Sequence, residues 1–236
     1  MKICIDAGHN YSGFDTGATG NGLMEQDVTF KIADKLKNLL INSGISVTMT
    51  RSNITDNVGI NAKDSINQRA RLANSTKCDY FVSIHCNAGG GTGAETLICG
   101  LGGKAEKLAK KVQSKIVKNL ALFDRGVKVR ADLGVLRLTD MPAILVETAF
   151  IDNQKDAKLL KENINDFAKA IFEGICEFLE IGETKILTEP NEIIEKISEI
   201  IEINDKKSAV YLLSQEKQKN SSFYWILYKI ANKEGA

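Results

Sequence analysis

The chain has 236 residues, of which 43% are hydrophobic, and its 31 basic side chains nearly balance 30 acidic ones. This composition excludes a disordered or fibrous chain. A net charge of +1 provides no field that would hold nucleic acid by counterion release, so we expect no nucleic-acid partner. No run approaches the roughly 18 apolar residues that span a bilayer. We therefore expect a soluble globular protein with no membrane span.

The N-terminus and the cysteines indicate where the protein is made. Met1-Lys2 leads directly into Ile3-Cys4-Ile5, an apolar run too short for the core of a secretory signal peptide. The five cysteines are odd in number and include no C-x-x-C pair, unlike the disulfide framework of a small secreted domain. We expect reduced, mostly buried thiols and a protein that is cytoplasmic as synthesised.

Up to about residue 181, short β-like runs alternate with longer helical runs, which is typical of an α/β protein. The β-like runs are continuously apolar, as strands covered on both faces are. We therefore expect a mostly parallel, twisted sheet flanked by helices. The predicted strands are Lys2–Asp6, Ile45–Thr50, Tyr80–Ile84, Ala94–Cys99, Val135–Leu138 and Ala143–Glu147. The predicted helices are Glu25–Ser43, Asp64–Ser75, Lys104–Ala121 and Asn163–Glu180.

A domain boundary is predicted near Ile181–Pro190, where this alternation ends. Residues 1–181 then form the main domain, and residues 189–236 form a small all-α C-terminal module. About fifty residues are few for independent stability, so we expect the module to pack on itself, on the main domain or on a second copy. Its three predicted helices are at about Asn191–Ile203, Asp205–Lys219 and Ser221–Lys233.

The two histidines of the chain both follow predicted strands. His9 comes directly after the first strand, and His85 comes at the end of the strand that begins at Tyr80. In α/β sheets, functional sites form outside the carboxyl ends of the strands, where loops and helix N-termini converge. We therefore expect both imidazoles at the same edge of the sheet, although a single histidine at a strand end is more often structural.

Two carboxylates are predicted at the same edge. Glu25 begins the first helix, and Glu147 ends a strongly apolar strand, where an unpaired carboxylate would be costly. Two imidazoles and one carboxylate hold zinc in many hydrolases, with the fourth position left to water. The remaining carboxylate suits a general base. Taken singly, Glu25 could instead be an ordinary helix-start carboxylate that the helix dipole stabilises, and Glu147 could pair with an arginine.

Six motifs occur in order along the chain: Asp6-Ala7-Gly8-His9, Glu25 at a helix start, Thr50-Arg51, Gln68-Arg69-Ala70-Arg71-Leu72-Ala73-Asn74, Ser83-Ile84-His85-Cys86-Asn87-Ala88 and Val146-Glu147-Thr148-Ala149-Phe150-Ile151-Asp152-Asn153. This series resembles the type 3 zinc-dependent N-acetylmuramoyl-L-alanine amidases, and the similarity covers about residues 1–181. The resemblance implies that His9, Glu25 and His85 bind one Zn²⁺ ion and that Glu147 is the catalytic acid and base. It also implies cleavage of the amide between the lactyl group of N-acetylmuramic acid and L-alanine in peptidoglycan.

The chain departs from the family pattern at two places. Cys86 stands where the family commonly has Ala, and Thr148-Ala149 replaces a more usual glycine-containing pair. Neither departure touches an implied ligand or the implied base. Cys86 beside His85 suggests a Cys/His nucleophile, but neighbours on a strand point to opposite faces, so we discount that dyad.

Two arginines in the motifs, Arg51 and Arg69, are candidates either for holding the framework together or for holding substrate carboxylates. We expect the structural role for both and leave them outside the catalytic set.

The leading hypothesis is a peptidoglycan amidase acting as a phage or prophage endolysin, released to the cell wall after synthesis. The alternatives are a cellular autolysin or spore-wall amidase, a non-catalytic wall-binding protein that keeps the amidase fold, and a zinc carboxypeptidase acting on the stem peptide. We expect residues 189–236 to bind a secondary wall polymer or to form a homodimer. The aromatic residues Phe223, Trp225 and Tyr228 could equally form the core of that module.

Overall fold

The computed structural model describes residues 1–181. The predicted C-terminal module, residues 189–236, lies outside the described residues and stays a prediction. Within the described part, no helix has the length and apolarity needed to cross a membrane. The strands are β1 Lys2–Ala7, β2 Thr19–Gly20, β3 Leu23–Met24, β4 Ser46–Met49, β5 Tyr80–Asn87, β6 Ala94–Ile98, β7 Asp124–Val129 and β8 Ala143–Phe150. The helices are α1 Glu25–Asn42, α2 Ala62–Ser75, α3 Lys104–Leu120, α4 Gly134–Arg137, α5 Gln154–Glu162 and α6 Ile164–Leu179.

Six strands form one sheet in the order β4-β1-β5-β8-β6-β7, and β2 and β3 form a separate two-stranded ribbon. Strands β4, β1, β5 and β8 are mutually parallel. Strand β6 runs antiparallel to β8, and β7 pairs parallel to β6. The predicted α/β class with a mostly parallel sheet flanked by helices is confirmed. The carboxyl ends of β1, β5 and β8 consequently lie at one edge.

Helices cover the sheet on both faces. Helix α6 packs against both α1 and α3 over one face, where Tyr80 of β5 contacts Phe178 of α6 edge-to-face at 5.4 Å between ring centroids. Helices α2 and α4 pack together over the other face. The core there includes Phe81 of β5, Leu97 of β6 and Leu136 of α4, each less than 4% exposed. Burial of these large apolar side chains supplies the main stabilisation of the fold.

One predicted strand is wrong. Residues Val135–Leu138 were expected to be extended, but Gly134–Arg137 form the single-turn helix α4. Val135 and Leu136 are buried in the core on the α2 side. A four-residue apolar run fits a buried helical turn as well as a strand, so periodicity alone does not separate the two. The turn also needs Gly134, because a Cβ there would lie 2.6 Å from Ile66 Cγ2 of α2.

The short ribbon strands β2 and β3, strand β7 and helix α5 were not predicted, and the last two have no apolar signature. Strand β7 lies at the edge of the sheet and contains Arg125 and Lys128; charged side chains are a usual way to protect an edge strand from further pairing. Helix α5 is largely polar and depends on its cap, in which the Asn153 side chain accepts hydrogen bonds from the backbone N–H groups of Lys155 and Asp156. Capping of this kind contributes about 1 kcal/mol.

The contact between α3 and α6 depends on Gly174. A Cβ at this position would lie 2.5 Å from Val112 Cα and 2.8 Å from Val112 N, which are backbone atoms that cannot rotate away. Helix propensity alone would favour alanine here by about 1 kcal/mol. We expect the steric overlap with Val112 to outweigh the gain in helix propensity, so that Gly174→Ala lowers the free energy of unfolding by about 1–3 kcal/mol.

Urea-induced unfolding of the full chain measures this effect. Gly100→Ala is the matched control, because a Cβ at Gly100 meets no atom within 4 Å. A Gly174→Ala variant that is as stable as the unaltered chain, or more stable, would show that α3 and α6 can move apart at little cost.

Candidate metal centre and active site

The four predicted site residues lie together at one edge of the sheet. His9 follows the end of β1, His85 lies in β5, and Glu25 is the first residue of α1. Strand β5 pairs with β8 in a register that places His85 directly opposite Glu147. The end of β1, the start of α1 and the neighbouring strands β5 and β8 therefore bring together residues that are up to 138 positions apart (147 − 9) in the chain.

Three of these side chains form a triangle of potential metal ligands. His9 Nε2 lies 3.1 Å from Glu25 Oε1, His85 Nδ1 lies 3.2 Å from the same oxygen, and the two nitrogens are 3.1 Å apart. Zinc–ligand distances of about 2.0–2.2 Å place neighbouring atoms of a tetrahedral site roughly 3.3 Å apart. The triangle therefore fits one face of a tetrahedral zinc site. Within residues 1–181, His9, Glu25 and His85 are the group of His, Cys, Asp and Glu side chains whose ligand atoms lie close enough together to hold a metal ion.

The charges around the triangle favour a cation. Burial by itself would lower the pKa of His9, but hydrogen bonds to Asp15 and Glu25 outweigh it and raise the pKa to about 9. Burial by itself would raise the pKa of Glu25, but His85 and His9 hold it well below its ordinary value. The carboxylate is therefore ionised at neutral pH, and both imidazoles direct a ring nitrogen at it. A bound cation would satisfy all three groups at once.

Backbone contacts hold Glu25 in place. Its Oε2 accepts a hydrogen bond from Ala18 N at 2.8 Å, and its Oε1 accepts one from Cys86 N at 2.9 Å. Gly17 gives the loop the room it needs, because a Cβ there would lie 2.7 Å from both Glu25 Oε2 and His9 Cδ2, and its φ of +75° disfavours other residues. Glu25 is thus a carboxylate held in a fixed position beside the two imidazoles, and more than a helix-start carboxylate.

A second carboxylate that the sequence analysis missed orients His9. Asp15 Oδ1 lies 2.7 Å from His9 Nδ1, so the other ring nitrogen, Nε2, is left for the metal site. Asp15 Oδ2 in turn accepts a hydrogen bond from Arg69 Nη2 at 3.3 Å. Carboxylates in this position fix the tautomer and direction of metal-binding histidines. His9 itself has a φ of +67°, an unusual conformation for a residue other than glycine.

Asp6 connects this arrangement to the sheet. Its carboxylate is fully buried and accepts hydrogen bonds from Thr50 Oγ1 at 2.7 Å, Ser83 Oγ at 2.7 Å and Arg69 Nη1 at 3.1 Å. Burial alone would raise the pKa of Asp6, but Arg69 and the two hydroxyls lower it below its ordinary value. Arg69 therefore bridges two carboxylates, Asp6 and Asp15, and has the structural role that we predicted.

Arg51 also has the predicted structural role. The Arg51 side chain is fully buried, and its guanidinium carbon lies 5.3 Å from the centroid of the Phe30 ring. It acts as a fixed set of donors for the backbone at the end of β1 and the start of α1. The acceptors are the carbonyl oxygens of Ala7, Gly8, Gln26 and Ile54.

Glu147 lies beside the triangle and is not part of it. Its Oε2 is buried and has no hydrogen-bond partner within the described residues. Burial raises the pKa of Glu147 to about 7, with the nearby carboxylates Glu25 and Glu95 adding to the effect and His85 opposing it. A carboxyl group in this state exchanges protons readily near neutral pH, which is what a general base and acid requires. Glu95, directly opposite Glu147 on β6, was not singled out from the sequence.

The two departures from the family pattern contact each other. Cys86 Sγ lies 3.5 Å from Thr148 Oγ1, and burial raises the pKa of the Cys86 thiol well above its ordinary value. The thiol is therefore neutral and only 4% exposed, which removes the basis for a Cys/His nucleophile. Thr148 Oγ1 also donates to the carbonyl oxygen of His85 at 2.9 Å.

Comparison with known proteins agrees with this geometry. Residues 3–177 match the N-acetylmuramoyl-L-alanine amidase family model. The chain is 42% identical to the N-acetylmuramoyl-L-alanine amidase CwlM of Bacillus licheniformis, over 78% of this chain and 70% of that protein. It is 39% identical to the endolysin of Bacillus phage SPP1, over 76% of this chain and 66% of that protein.

A solved structure shares both the fold and the sequence pattern. The N-acetylmuramoyl-L-alanine amidase from Clostridium difficile 630 matches with a TM-score of 0.67 and 34% identity, over 77% of this chain and 97% of the other. The match therefore includes nearly the whole of that amidase structure. The chain belongs to the N-acetylmuramoyl-L-alanine amidase family.

Proposed function

We propose that the chain hydrolyses the amide between N-acetylmuramic acid and L-alanine in peptidoglycan, with one Zn²⁺ ion held by His9, Glu25 and His85 and with Glu147 as general base and acid. The observation that carries the proposal is the ligand triangle, with edges of 3.1–3.2 Å, beside a buried carboxyl oxygen that has no partner within residues 1–181. Family membership supplies the substrate class.

Each residue has a separate task in this proposal. Zinc bound at the triangle would supply an acidified water and polarise the scissile carbonyl. Glu147 takes a proton from the water and returns it to the leaving amine; its buried Oε2 has no partner within residues 1–181, and burial raises its pKa above the ordinary value. Asp15 keeps His9 Nδ1 engaged and so presents Nε2 to the metal. No covalent intermediate with the protein is required.

Removing the base should abolish turnover and leave the metal site intact. Glu147→Gln keeps the shape of the side chain but cannot accept a proton, so we expect kcat to fall roughly 10²- to 10⁴-fold while zinc content is unchanged. The measurement is end-group analysis of digested peptidoglycan. The unaltered chain should release new alanine amino groups and no new reducing sugar ends.

Glu162→Gln, at the exposed end of α5, is the control and should digest peptidoglycan like the unaltered chain. Products shortened at the far end of the stem peptide would instead indicate a carboxypeptidase. Wall binding without any new end group would indicate a non-catalytic wall-binding protein.

The metal site can be tested without measuring activity. We expect the full chain to bind one zinc ion and to gain thermal stability when zinc is added after chelation, because the ion binds the folded state preferentially. Asp15→Asn should weaken zinc affinity about 10- to 100-fold, since His9 loses its charged partner. Competition with a chelator of known affinity measures the change.

Asp34→Asn is the matched control, because this carboxylate pairs with Lys37 on the surface of α1. Equal zinc affinities for the Asp15→Asn and Asp34→Asn variants would contradict the role of Asp15. Failure of the unaltered chain to take up zinc would contradict the zinc proposal itself.

The setting that we propose is a phage or prophage endolysin that is cytoplasmic as synthesised and reaches the wall after release, with residues 189–236 binding a secondary wall polymer or a second copy of the chain. Similarity to the phage endolysin supports this setting, and similarity to the bacterial amidase CwlM supports the alternative, an autolysin or spore-wall enzyme. Fractionation of expressing cells should find the protein inside until the membrane is breached. Export without a lysis partner would favour the alternative.

A further inference from the structure

The half of the sheet beside Glu147 is covered differently on its two faces. Helix α3 packs on β6 and β7 from one side, where Thr96 Oγ1 donates to Gln113 of α3. On the opposite face, α4 reaches as far as Leu97 in the core. Further along that face, Glu95 of β6 is buried, whereas the side chains of Lys128 on β7 and of Arg130 after it are exposed. The edge strand β7 therefore presents a charged surface beside Glu95.

Three cations occupy this surface, and we call Arg125, Lys128 and Arg130 the cationic strip. Arg125 Nε donates to Glu95 Oε2 at 2.7 Å, and Lys128 Nζ donates to the same oxygen. Lys128 and Arg130 are two residues apart along the extended chain, so they share a face. Arg130 follows β7 and pairs its backbone N–H with the carbonyl oxygen of Ile98 in β6.

The register of the strands fixes the distance from this strip to the catalytic carboxylate. Glu95, which holds Arg125 and Lys128, lies directly opposite Glu147. Neighbouring strands are about 4.8 Å apart, so β7 is roughly 10 Å from the strand of Glu147. Lys128 lies opposite Leu97, two residues along β6 from Glu95, and its side chain reaches back to Glu95, as that of Arg125 also does. A peptide spans about 3.3–3.6 Å per residue, so the second or third residue of a peptide whose first amide lies at Glu147 would reach these side chains.

The strip still has donors to offer. The side chains of Lys128 and Arg130 are 43% and 49% exposed. Both side-chain hydrogen bonds of Arg130 are made to Asp132, whose side chain is 65% exposed. Ion pairs of this kind are weak enough to open for another carboxylate. Arg125 is better fixed, because its guanidinium stacks over the ring of Phe150 at 4.9 Å.

We propose that the cationic strip binds the free carboxylates of the stem peptide, on the leaving-amine side of the scissile amide. This inference rests on the proposed function, since it takes the peptide to be the one that begins at the cleaved bond. Charge complementarity and the distance from Glu147 both select this occupant. Glu95 is a positioning residue, because it holds Arg125 and Lys128 toward the open face without contacting the substrate.

Two soluble muramyl peptides that differ in one group provide the test. One carries a free carboxylate at the second stem residue, and the other carries a carboxamide there. For the double variant Lys128→Met/Arg130→Met we expect KM for the carboxylate substrate to rise roughly five- to thirtyfold, from the loss of two exposed ion pairs. We expect kcat to be unchanged, because such contacts are equal in the ground and transition states. KM for the carboxamide substrate should change less than twofold, because a neutral carboxamide forms no ion pair with Lys128 or Arg130.

Lys107→Met is the matched control, since Lys107 is an exposed lysine of α3, on the other face of the sheet. Lys128→Arg should retain the preference for the carboxylate, because it keeps the charge. Equal effects of the double variant on both substrates would overturn the inference, as would an equal effect of Lys107→Met. Weaker sedimentation with teichoic-acid-bearing walls, without any change in preference between the two peptides, would assign the strip to an anionic wall polymer instead and also overturn it.

Binding separates this inference from the proposed function. Calorimetry with the Glu147→Gln variant measures the affinity for both peptides without turnover. Charge-selective binding that is lost on adding Lys128→Met/Arg130→Met, with no hydrolysis by the unaltered chain, would contradict the proposed function and support the strip. Hydrolysis of both peptides with no charge selectivity in binding or KM would support the function and overturn the strip.

Discussion

The buried carboxylate of Asp6 is the interaction on which the rest of the site depends. A charge at that depth is tolerated only when it is fully paired, and its donors come from β5, from the end of β4 and from Arg69 of α2. The same guanidinium reaches Asp15, and Asp15 holds the ring of His9. Packing of the sheet is thereby transmitted through two carboxylates and one arginine to His9, which lies on a loop. A precise ligand triangle on an irregular segment needs a support of this kind.

Strand register sets the spacing of the remaining chemistry. His85, Glu147 and Glu95 form a row across β5, β8 and β6, so these three side chains are each one strand apart. The helices cover the sheet unevenly, which explains why this row is accessible from the side of β7. Helices α2 and α4 close one face over the core strands, while the edge strand β7 keeps Lys128 exposed. The buried strands β5 and β8 thus carry His85 and Glu147, and the edge strand carries exposed cations.

The sequence was most informative where a polar residue interrupts an apolar run. His85 and Glu147 stood out because the strands around them are buried, and that burial follows from period and composition alone. Strand β7 and Asp15 could not be found in this way. An edge strand needs charge to avoid further pairing, so it lacks the apolar signal. Asp15 lies in a loop whose shape depends on contacts with Arg69, and no local pattern encodes a contact 54 residues away.

The departures from the family pattern show which contacts the site needs. Cys86 contributes its backbone N–H to Glu25 Oε1, and any residue other than proline offers the same donor. Its side chain points instead to Thr148, whose hydroxyl donates to the carbonyl oxygen of His85. The thiol and the hydroxyl therefore contact each other beside these groups, while Glu25 is held through backbone N–H groups. Because the backbone makes the essential contacts, these side chains can vary together while the positions of Glu25 and His85 are kept.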